Sequence, residues 1–213
     1  MALNAPSHLL YLHGFRSSPQ SAKARFVADW MQQHQPDVVW CCPQLPPSPA
    51  EAIALLQQLT QHWPQAGSTV IGSSLGGFYA AHMAAARGWR SVLLNPAVHP
   101  ARDLARYIGD NTAWHDPSEH FYFQEAYIDE LRGSEQQTRA REAERQANAT
   151  LAPAFALICE GDEVLDWHEM TARHARAQQR VLPGNDHAIS DFPQHWPELA
   201  DFLQLGAAQG QPA

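Results

Sequence analysis

The chain has few cysteines, few basic residues and no long apolar run, and each scarcity excludes a class of protein. Its 213 residues include three cysteines, of which Cys41 and Cys42 are adjacent. Adjacent cysteines rarely bridge each other, so the sequence predicts no disulfide framework and favours a reducing compartment, the cytoplasm. No stretch approaches about 18 consecutive apolar residues, so no membrane span is expected. The N-terminal stretch MALNAPSHLLYLHG lacks a basic region and is interpreted as leading into a buried strand, not as a signal peptide.

Acidic residues outnumber basic ones. The chain has 14 Lys and Arg against 22 Asp and Glu, a formal net charge of −8. Because non-specific nucleic-acid binding needs clustered Lys and Arg, no nucleic-acid partner is expected. Hydrophobic residues make up 45 % of the chain, which is ordinary for a globular protein, and the length suits one sizeable domain.

Short apolar runs alternate with helical patterns along the first part of the chain. The runs cover 9–12, 38–41, 69–71 and 91–94, and the sheet signal returns at 155–159 and 180–182. Apolar strands separated by helices predict a mainly parallel sheet of about six strands with helices on both faces, a doubly wound α/β fold. Further helices are predicted over 167–178 and 196–205, followed by a frayed tail, GAAQGQPA.

Residues 98–150 interrupt this alternation. Strand signals vanish there, and aromatic residues are followed by the charged, helix-forming stretch EQQTRAREAERQANA. We interpret the segment as a helical lid or cap inserted into one domain that spans residues 1–213. Its aromatic residues are expected to cover a site, to pack the insertion against the sheet, or both; they are Tyr107, Trp114, Phe121, Tyr122, Phe123 and Tyr127.

The stretch VIGSSLGGFY contains the pattern G-x-S-x-G between a predicted strand and a predicted helix. A tight structural turn and a phosphate-binding loop are the alternatives, but the stretch lacks the Lys of a P-loop and the spacing of a dinucleotide-binding loop. A sharp strand-to-helix turn of this pattern holds its central serine above the sheet. Ser74 is therefore the predicted nucleophile, and Ser73 is expected to be a small residue that fills the turn.

A nucleophilic serine needs a base and an acid that orients it, and in this fold they follow in the order Ser, Asp or Glu, His. Asp162 follows the fifth sheet strand and is the predicted acid, with Glu163 and Asp166 as competitors; Asp166 is also suited to cap the next helix. His187 follows the last strand in a glycine-containing loop and is the predicted base. It is preferred over three histidines on helical stretches, His168, His174 and His195. Asp186 is expected to stabilise the loop.

Acyl transfer also requires N–H donors for the oxyanion. The backbone N–H of Leu75 is one predicted donor, and the loop after the first strand supplies the other, assigned to the N–H of Phe15. Gly14 is expected to let this loop approach the serine. His13 is interpreted as a structural anchor of the loop.

Three residues are candidates for substrate binding: Gly14, in the loop after the first strand, together with Arg16 and Asn95. Arg16 is placed to attract a carboxylate or phosphate, although a lone loop arginine is more often solvated. Asn95, in Asn-Pro-Ala after the fourth strand, either lines an acyl pocket or belongs to a turn that separates strand and helix. The pairs His115/His120 and His13/His187 lack a recognisable ligand spacing, so no metal is predicted.

Five segments together resemble the YqiA-type family of small bacterial esterases, within the α/β-hydrolase superfamily: LLYLHGFRSSPQSAKA, VIGSSLGGFYAAHMA, LLNPAVHP, EGDEVLDW and GNDHAISDF. The resemblance runs from Leu9 to Phe202, nearly the whole chain. The resemblance implies a compact α/β-hydrolase fold and a serine hydrolase for carboxylic esters or thioesters, including acyl-CoA, without a cofactor. It carries the roles of nucleophile, acid and base to Ser74, Asp162 and His187.

The residues and the resemblance together predict an esterase acting on a small-molecule ester through an acyl-enzyme. An acyl-CoA thioesterase is the alternative within the hydrolases, because the same site cleaves both bonds. A ligand-binding protein with an idle triad is the alternative from another class, and lyase or cofactor-free oxygenase chemistry on the same scaffold also stays open. Acyl-chain length and oligomeric state are not predicted.

Overall fold

The structure, a computed structural model, describes residues 5–114, 116 and 118–206. The predicted frayed tail lies outside these residues, apart from Gly206, and so does His115. The strands in chain order are β1 (His8–Leu12), β2 (Val39–Cys41), β3 (Ser68–Ser73), β4 (Arg90–Leu94), β5 (Gly109–Thr112), β6 (His120–Phe123), β7 (Ala154–Cys159) and β8 (Gln178–Leu182). Six of them form one sheet in the order β2-β1-β3-β4-β7-β8, and every pairing in it is parallel. The predicted parallel sheet is confirmed.

Helices cover both faces of this sheet, as the alternation predicted. They are α1 (Ala22–His34), α2 (Pro49–Leu59), α3 (Leu75–Arg87), α4 (Pro100–Asp103), α5 (Ala126–Ala147), α6 (Trp167–Arg173) and α7 (Phe192–Leu203). Helix α6 ends earlier than predicted because the chain from Gln178 pairs with β7 as the edge strand. Helix α7 begins earlier because Pro193 lies in its first turn, where a missing N–H costs nothing. None of the helices in the described ranges is long and apolar enough to cross a membrane.

Side chains of the central strands alternate between two hydrophobic cores. Leu10 and Leu12 of β1 face the core shared with α2, α3 and the segment after β4. Leu9 and Tyr11 of the same strand face the core shared with α1 and α7. Successive side chains of a strand point to opposite faces of the sheet, and both faces here are covered by a hydrophobic core. The sequences of the central strands are therefore continuously apolar.

The segment between β4 and β7 contains a β-hairpin that the sequence analysis did not predict. Strands β5 and β6 pair antiparallel, with Gly109 opposite Phe123 and Thr112 opposite His120. The hairpin buries Phe123 and leaves Tyr122 58 % exposed. The predicted charged helix of this segment is present as α5. It packs on α3, where Nδ1 of His82 lies 2.8 Å from Oγ1 of Thr138.

Strand β1 has β2 on one side and β3 on the other, so the strand order reverses there. In open α/β sheets the loops that follow such a pair of strands diverge and leave a crevice at the carboxyl edge. Leu12 of β1 lies opposite Gly72 of β3. This register brings the loop that begins at His13 alongside the turn that contains Ser74.

Candidate active site

Ser74 lies between β3 and α3 with φ 58°, in the left-handed region that side chains rarely adopt. Strand β4 and the segment directly after it fix the backbone on both sides of this residue. The N–H of Ser74 donates to the carbonyl of Leu94 at 2.9 Å, and the N–H of Ala97 donates to the carbonyl of Ser74 at 3.0 Å. The backbone thus holds Ser74 in a conformation of the kind that is concentrated at functional sites.

The glycines around Ser74 are required by close backbone packing. A Cβ on Gly72 would lie 2.1 Å from the carbonyl oxygen of Gly76, and a Cβ on Gly76 would lie 2.1 Å from that of Leu12. A Cβ on Gly77 would lie 2.8 Å from the Cβ of Pro96. These contacts explain the motif in physical terms: the new helix starts directly against the ends of β1, β3 and β4.

One hydrogen-bonded chain links the side chains of Ser74, His187 and Asp162. Ser74 and His187 are 113 residues apart in the sequence. Oδ2 of Asp162 lies 2.7 Å from Nδ1 of His187, and Nε2 of His187 lies 3.0 Å from Oγ of Ser74. The Asp162 side chain is fully buried, and its Oδ1 accepts the N–H groups of Val164 and Leu165, each at 2.8 Å. A carboxylate only accepts hydrogen bonds, so Nδ1 carries the proton and Nε2 is free to accept the serine proton.

The two competing carboxylates have other partners. Oε2 of Glu163 accepts the backbone N–H of His187 at 3.0 Å, which helps to fix the loop but does not engage the ring. Asp166 caps α6 by accepting the N–H of His168 at 2.9 Å, the second role weighed for it. Asp186 accepts the N–H and hydroxyl of Ser190, which agrees with the loop-stabilising role expected of it. The hydroxyl of Ser190 holds the pKa of Asp186 below its ordinary value.

The residues of the two predicted oxyanion donors, Phe15 and Leu75, line the same pocket as Ser74. Leu75 is the first residue of α3, where backbone N–H groups have no partner within the helix. Among the described residues, the N–H groups of Phe15 and Leu75 have no acceptor. A Cβ on Gly14 would lie 3.2 Å from Cβ and 3.6 Å from Oγ of Ser74, so Gly14 does let the loop approach closely.

His13 is buried behind this loop and does not join the chain of Ser74, His187 and Asp162. Its Nδ1 lies 2.9 Å from the carbonyl oxygen of Gly14, and its Nε2 accepts the N–H of Leu45 at 3.1 Å. The imidazole therefore links the loop after β1 to the loop after β2. This geometry agrees with the anchoring role expected of His13.

A pocket of about 690 Å³ opens over Ser74 and His187. Its wall is mainly apolar and aromatic, and Tyr107 and Trp114 of the insertion contribute to it. Other aromatic residues of the insertion pack instead of lining the pocket: Phe121 and Phe123 lie against the ring of Phe15. The volume and lining are typical of a small-molecule site with a few polar groups.

Lys23 of α1 also lines the pocket, and the sequence analysis did not select it. Its Nζ donates to the carbonyl of Ala188, the residue after His187. Burial lowers the pKa of Lys23 to about 8, against the opposing influence of Asp186. The lysine thus braces the loop that carries the imidazole. No local sequence signal marks it, because it is one of several charged residues on an ordinary amphipathic helix.

Asn95, one of the three residues considered for substrate binding, does not line the pocket. It is fully buried with φ 42°, and its Oδ1 accepts the N–H of Cys159 at 2.8 Å. Its Nδ2 donates to the carbonyl oxygens of Asp186 and His187, each at 3.2 Å. The side chain therefore joins the ends of β4 and β7 to the loop of His187 and has its hydrogen-bonding groups engaged away from the pocket.

Arg16 does line the pocket, but its guanidinium is engaged by the hairpin. Its Nε donates to the carbonyl of Thr112 at 2.6 Å, and its Nη2 donates to Oγ1 of the same residue at 3.0 Å. These contacts give the side chain a partner within the protein, and the attraction of an anionic substrate group stays a prediction. Within the described residues, no group of three or more His, Cys, Asp and Glu side chains is arranged to hold a metal ion.

Residues 8–204 match the uncharacterised protein family UPF0227. The chain belongs to this family. Because UPF0227 is the YqiA-like family, the match confirms the resemblance found in the sequence motifs, and it covers nearly all of the described chain.

Solved structures of similar shape share the α/β-hydrolase fold. Est1E from Butyrivibrio proteoclasticus, solved with ferulic acid, has a TM-score of 0.69 and 13 % identity, over 96 % of this chain and 90 % of that one. A structure from work on the metagenome-derived lipolytic enzymes LipS and LipT has a TM-score of 0.70 and 15 % identity, over 95 % of both chains. A putative hydrolase from Agrobacterium vitis S4 has a TM-score of 0.68 and 15 % identity, over 94 % of this chain and 90 % of that one. The predicted fold is confirmed.

Proposed function

We propose that the protein is a serine hydrolase that cleaves carboxylic esters of small molecules through an acyl-enzyme. The observation that supports it most is the hydrogen-bonded chain from Ser74 through His187 to Asp162, with separations of 3.0 Å and 2.7 Å. The esterase and lipolytic activities named for proteins of the same fold agree with this proposal but do not carry it, since one fold hosts many reactions.

In the first half of the reaction, Oγ of Ser74 attacks the ester carbonyl carbon while its proton moves to Nε2 of His187. Asp162 holds the imidazole in the required tautomer and stabilises the imidazolium that forms. The N–H groups of Phe15 and Leu75 donate to the carbonyl oxygen as it becomes negative. Each such donor typically contributes about 2.7–4 kcal/mol to transition-state stabilisation.

Collapse of the tetrahedral intermediate breaks the bond to the leaving oxygen, which takes the proton from Nε2 of His187 and departs as an alcohol. A water molecule then attacks the acyl-enzyme, with His187 again accepting a proton. The second tetrahedral intermediate releases a carboxylic acid and returns the proton to Ser74. The cycle uses protein groups and water only.

The insertion supplies part of the pocket wall, so we propose that it acts as the cover of the acyl site in a single domain. Tyr107 and Trp114 are its contributions to the wall. A cytoplasmic location belongs to the same proposal, and the free state of Cys41, Cys42 and Cys159 agrees with it.

A panel of p-nitrophenyl esters of increasing acyl length, each assayed with the wild type and with Ser74→Ala, tests the proposal. The expected result is turnover that disappears in Ser74→Ala, with a carboxylic acid as the product in mass spectrometry. Acyl-CoA substrates of the same chain lengths, followed by thiol release, measure whether thioesters are preferred. Equal turnover by the wild type and Ser74→Ala would refute the proposal, and binding of esters without turnover would favour a ligand-binding protein.

A further inference from the structure

The loop after β1 is attached to the β5–β6 hairpin by contacts that converge on Arg16. We propose that Arg16 is a positioning residue: it clamps this loop to the hairpin and thereby fixes the N–H of Phe15 for the oxyanion. The inference rests on the proposed function, because it concerns the donor assigned to Phe15. It gives the insertion a role in transition-state stabilisation in addition to lining the pocket.

Phe15 and Arg16 are the central residues of a tight turn. The N–H of Ser17 donates to the carbonyl of Gly14 at 3.2 Å, which closes a four-residue turn around them. Arg16 has φ 60°, a conformation that a residue with a side chain keeps only where its surroundings hold it. The peptide unit before Phe15 is held at the carbonyl of Gly14 by Ser17 and by Nδ1 of His13, and the peptide unit after Phe15 depends on what holds Arg16.

The hairpin holds Arg16 through both its side chain and its backbone. Thr112 accepts from Nε and Nη2 of the guanidinium, at 2.6 Å and 3.0 Å. The N–H of Trp114 donates to the carbonyl of Arg16 at 2.7 Å, and the guanidinium carbon lies 4.2 Å from the centre of a Trp114 ring. These four interactions join one loop residue to two positions of the hairpin, Thr112 at the end of β5 and Trp114 just beyond it, so the carbonyl and the side chain cannot turn independently.

The neighbouring side chain is docked on the same insertion. The ring of Phe15 lies 5.3 Å from Tyr107, 5.8 Å from Phe121 and 5.3 Å from Phe123, measured between ring centroids. The turn is thus held on one side by aromatic packing and on the other by the guanidinium. A donor that is fixed before the reaction needs no reorganisation as charge develops, which is the source of its effect in an oxyanion hole.

The geometry favours a clamp over a binding site for a substrate anion. Two of the three guanidinium nitrogens donate to neutral oxygens of Thr112, and the guanidinium carbon lies over the ring of Trp114. The two roles make different demands on the side chain. A clamp requires the planar fork of arginine, whereas attraction of an anion requires only positive charge, which lysine also has.

The variants Arg16→Lys and Arg16→Met separate these two roles. Each is measured in ester hydrolysis and in inhibition by a short alkylboronic acid. The tetrahedral adduct that a boronic acid forms with a serine imitates the oxyanion. Both variants are expected to lose about 10- to 100-fold in kcat with little change in KM, because a displaced donor affects the transition state and not the ground state. The boronate inhibition constant is expected to rise by a similar factor. Titration of Ser74 with a fluorophosphonate corrects each rate for the fraction of folded enzyme.

Thr112→Val provides a milder variant in case the substitutions at Arg16 impair folding. It removes the Oγ1 acceptor but keeps the carbonyl of residue 112, and it suits a strand. A smaller loss of kcat in the same direction is expected. The matched control is Arg132→Ala, which removes an exposed arginine of α5 that pairs with Asp129 and is expected to leave kcat and the inhibition constant unchanged.

Three results overturn the inference. Wild-type kcat and boronate affinity in both Arg16 variants would show that the clamp does not matter. Retention of activity in Arg16→Lys, with a raised KM for anionic esters in Arg16→Met, would make Arg16 a substrate-binding residue. Amide hydrogen exchange over residues 14–17 does not depend on hydrolysis and is expected to accelerate in both variants. Unchanged exchange would overturn the clamp, whereas accelerated exchange in a protein without Ser74-dependent hydrolysis would refute only the proposed function.

Discussion

Nδ2 of Asn95 donates a hydrogen bond to the backbone carbonyl of His187 at 3.2 Å, and this bond joins the end of β4 to the loop that carries the imidazole. Nδ2 of Asn95 also donates to the carbonyl of Asp186, and Oδ1 of Asn95 accepts the N–H of Cys159. Asn95, which the sequence analysis considered for substrate binding, thus holds the loop of the predicted base His187 in place.

Asn95→Ala is expected to lower the free energy of unfolding by about 2–4 kcal/mol, because it leaves buried backbone groups without partners. The value of kcat is also expected to fall, since the loop of His187 loses its support. Urea denaturation and ester hydrolysis measure the two effects. Asn148→Ala, at the exposed end of α5, is the control and is expected to change stability by less than about 0.5 kcal/mol. Wild-type stability and kcat in Asn95→Ala would contradict this role.

The choice of Asp162 over Asp166 is tested by replacing each with Asn. Asp162→Asn is expected to lower kcat by about 10⁴-fold, because the amide N–H₂ faces Nδ1 and favours the tautomer whose Nε2 cannot accept the serine proton. Asp166→Asn is expected to retain nearly full kcat, since asparagine also caps a helix. The reverse pattern of activities would assign the acid to Asp166.

The packing of the nucleophile turn is tested by adding single methyl groups. Gly76→Ala is expected to destabilise the protein by more than about 3 kcal/mol or to prevent folding, because its Cβ would lie 2.1 Å from a backbone oxygen. Gly133→Ala is the control, since a Cβ there, in the interior of α5, would meet no atom within 4 Å outside the adjoining turns of its own helix. It is expected to stabilise the protein by about 0.5–1 kcal/mol. Thermal unfolding followed by circular dichroism compares the two, and equal effects would contradict the packing argument.

Acid sensitivity is predicted for the contact between α3 and α5. The hydroxyl of Thr138 donates to the carbonyl of Ser134 at 2.7 Å, so Nδ1 of His82 donates to that hydroxyl. Burial, followed by the nearby charge of Arg141, lowers the pKa of His82 from 6.5 to about 4. Between these values the unfolded chain takes up a proton that the folded protein does not, so stability falls as the pH falls through this window. The loss from this residue reaches about 3 kcal/mol.

Equilibrium unfolding at a series of pH values between 4 and 7 measures this dependence. His174 acts in the same direction, because burial lowers its pKa to about 3, so part of the dependence is expected to persist in His82→Gln. The exposed His62 supplies the control, and His62→Gln is expected to reproduce the wild-type curve. An unchanged slope in His82→Gln would rule out this account of acid sensitivity.

The fold was predictable from sequence because its signals are local and repeated. Apolar strands alternate with helices, and Ser74 lies in a motif whose glycines are required by close packing against neighbouring chain segments. The selection of Asp162 and His187 required only that parallel strands end at one edge of the sheet. Order along the chain and strand topology were enough to bring the three side chains together.

The remaining features depend on contacts between segments far apart in the chain. The hairpin was missed because β5 has the sequence GDNT, which lacks an apolar alternation, and its pairing with β6 crosses a loop. Arg16 and Thr112 are 96 residues apart, and Asn95 and His187 are 92 residues apart. No periodicity or motif in the sequence marks such pairs. Sequence alone therefore does not distinguish a residue that holds the site in place from one that lines the pocket.

The account depends on Ser74 being the activated nucleophile, and labelling with a fluorophosphonate followed by intact-mass and peptide mass spectrometry tests this most directly. One equivalent is expected on Ser74 in the folded wild type, slower labelling in Asp162→Asn, and none in Ser74→Ala. An unlabelled folded wild type, or equal labelling of Ser74→Ala, would contradict the account.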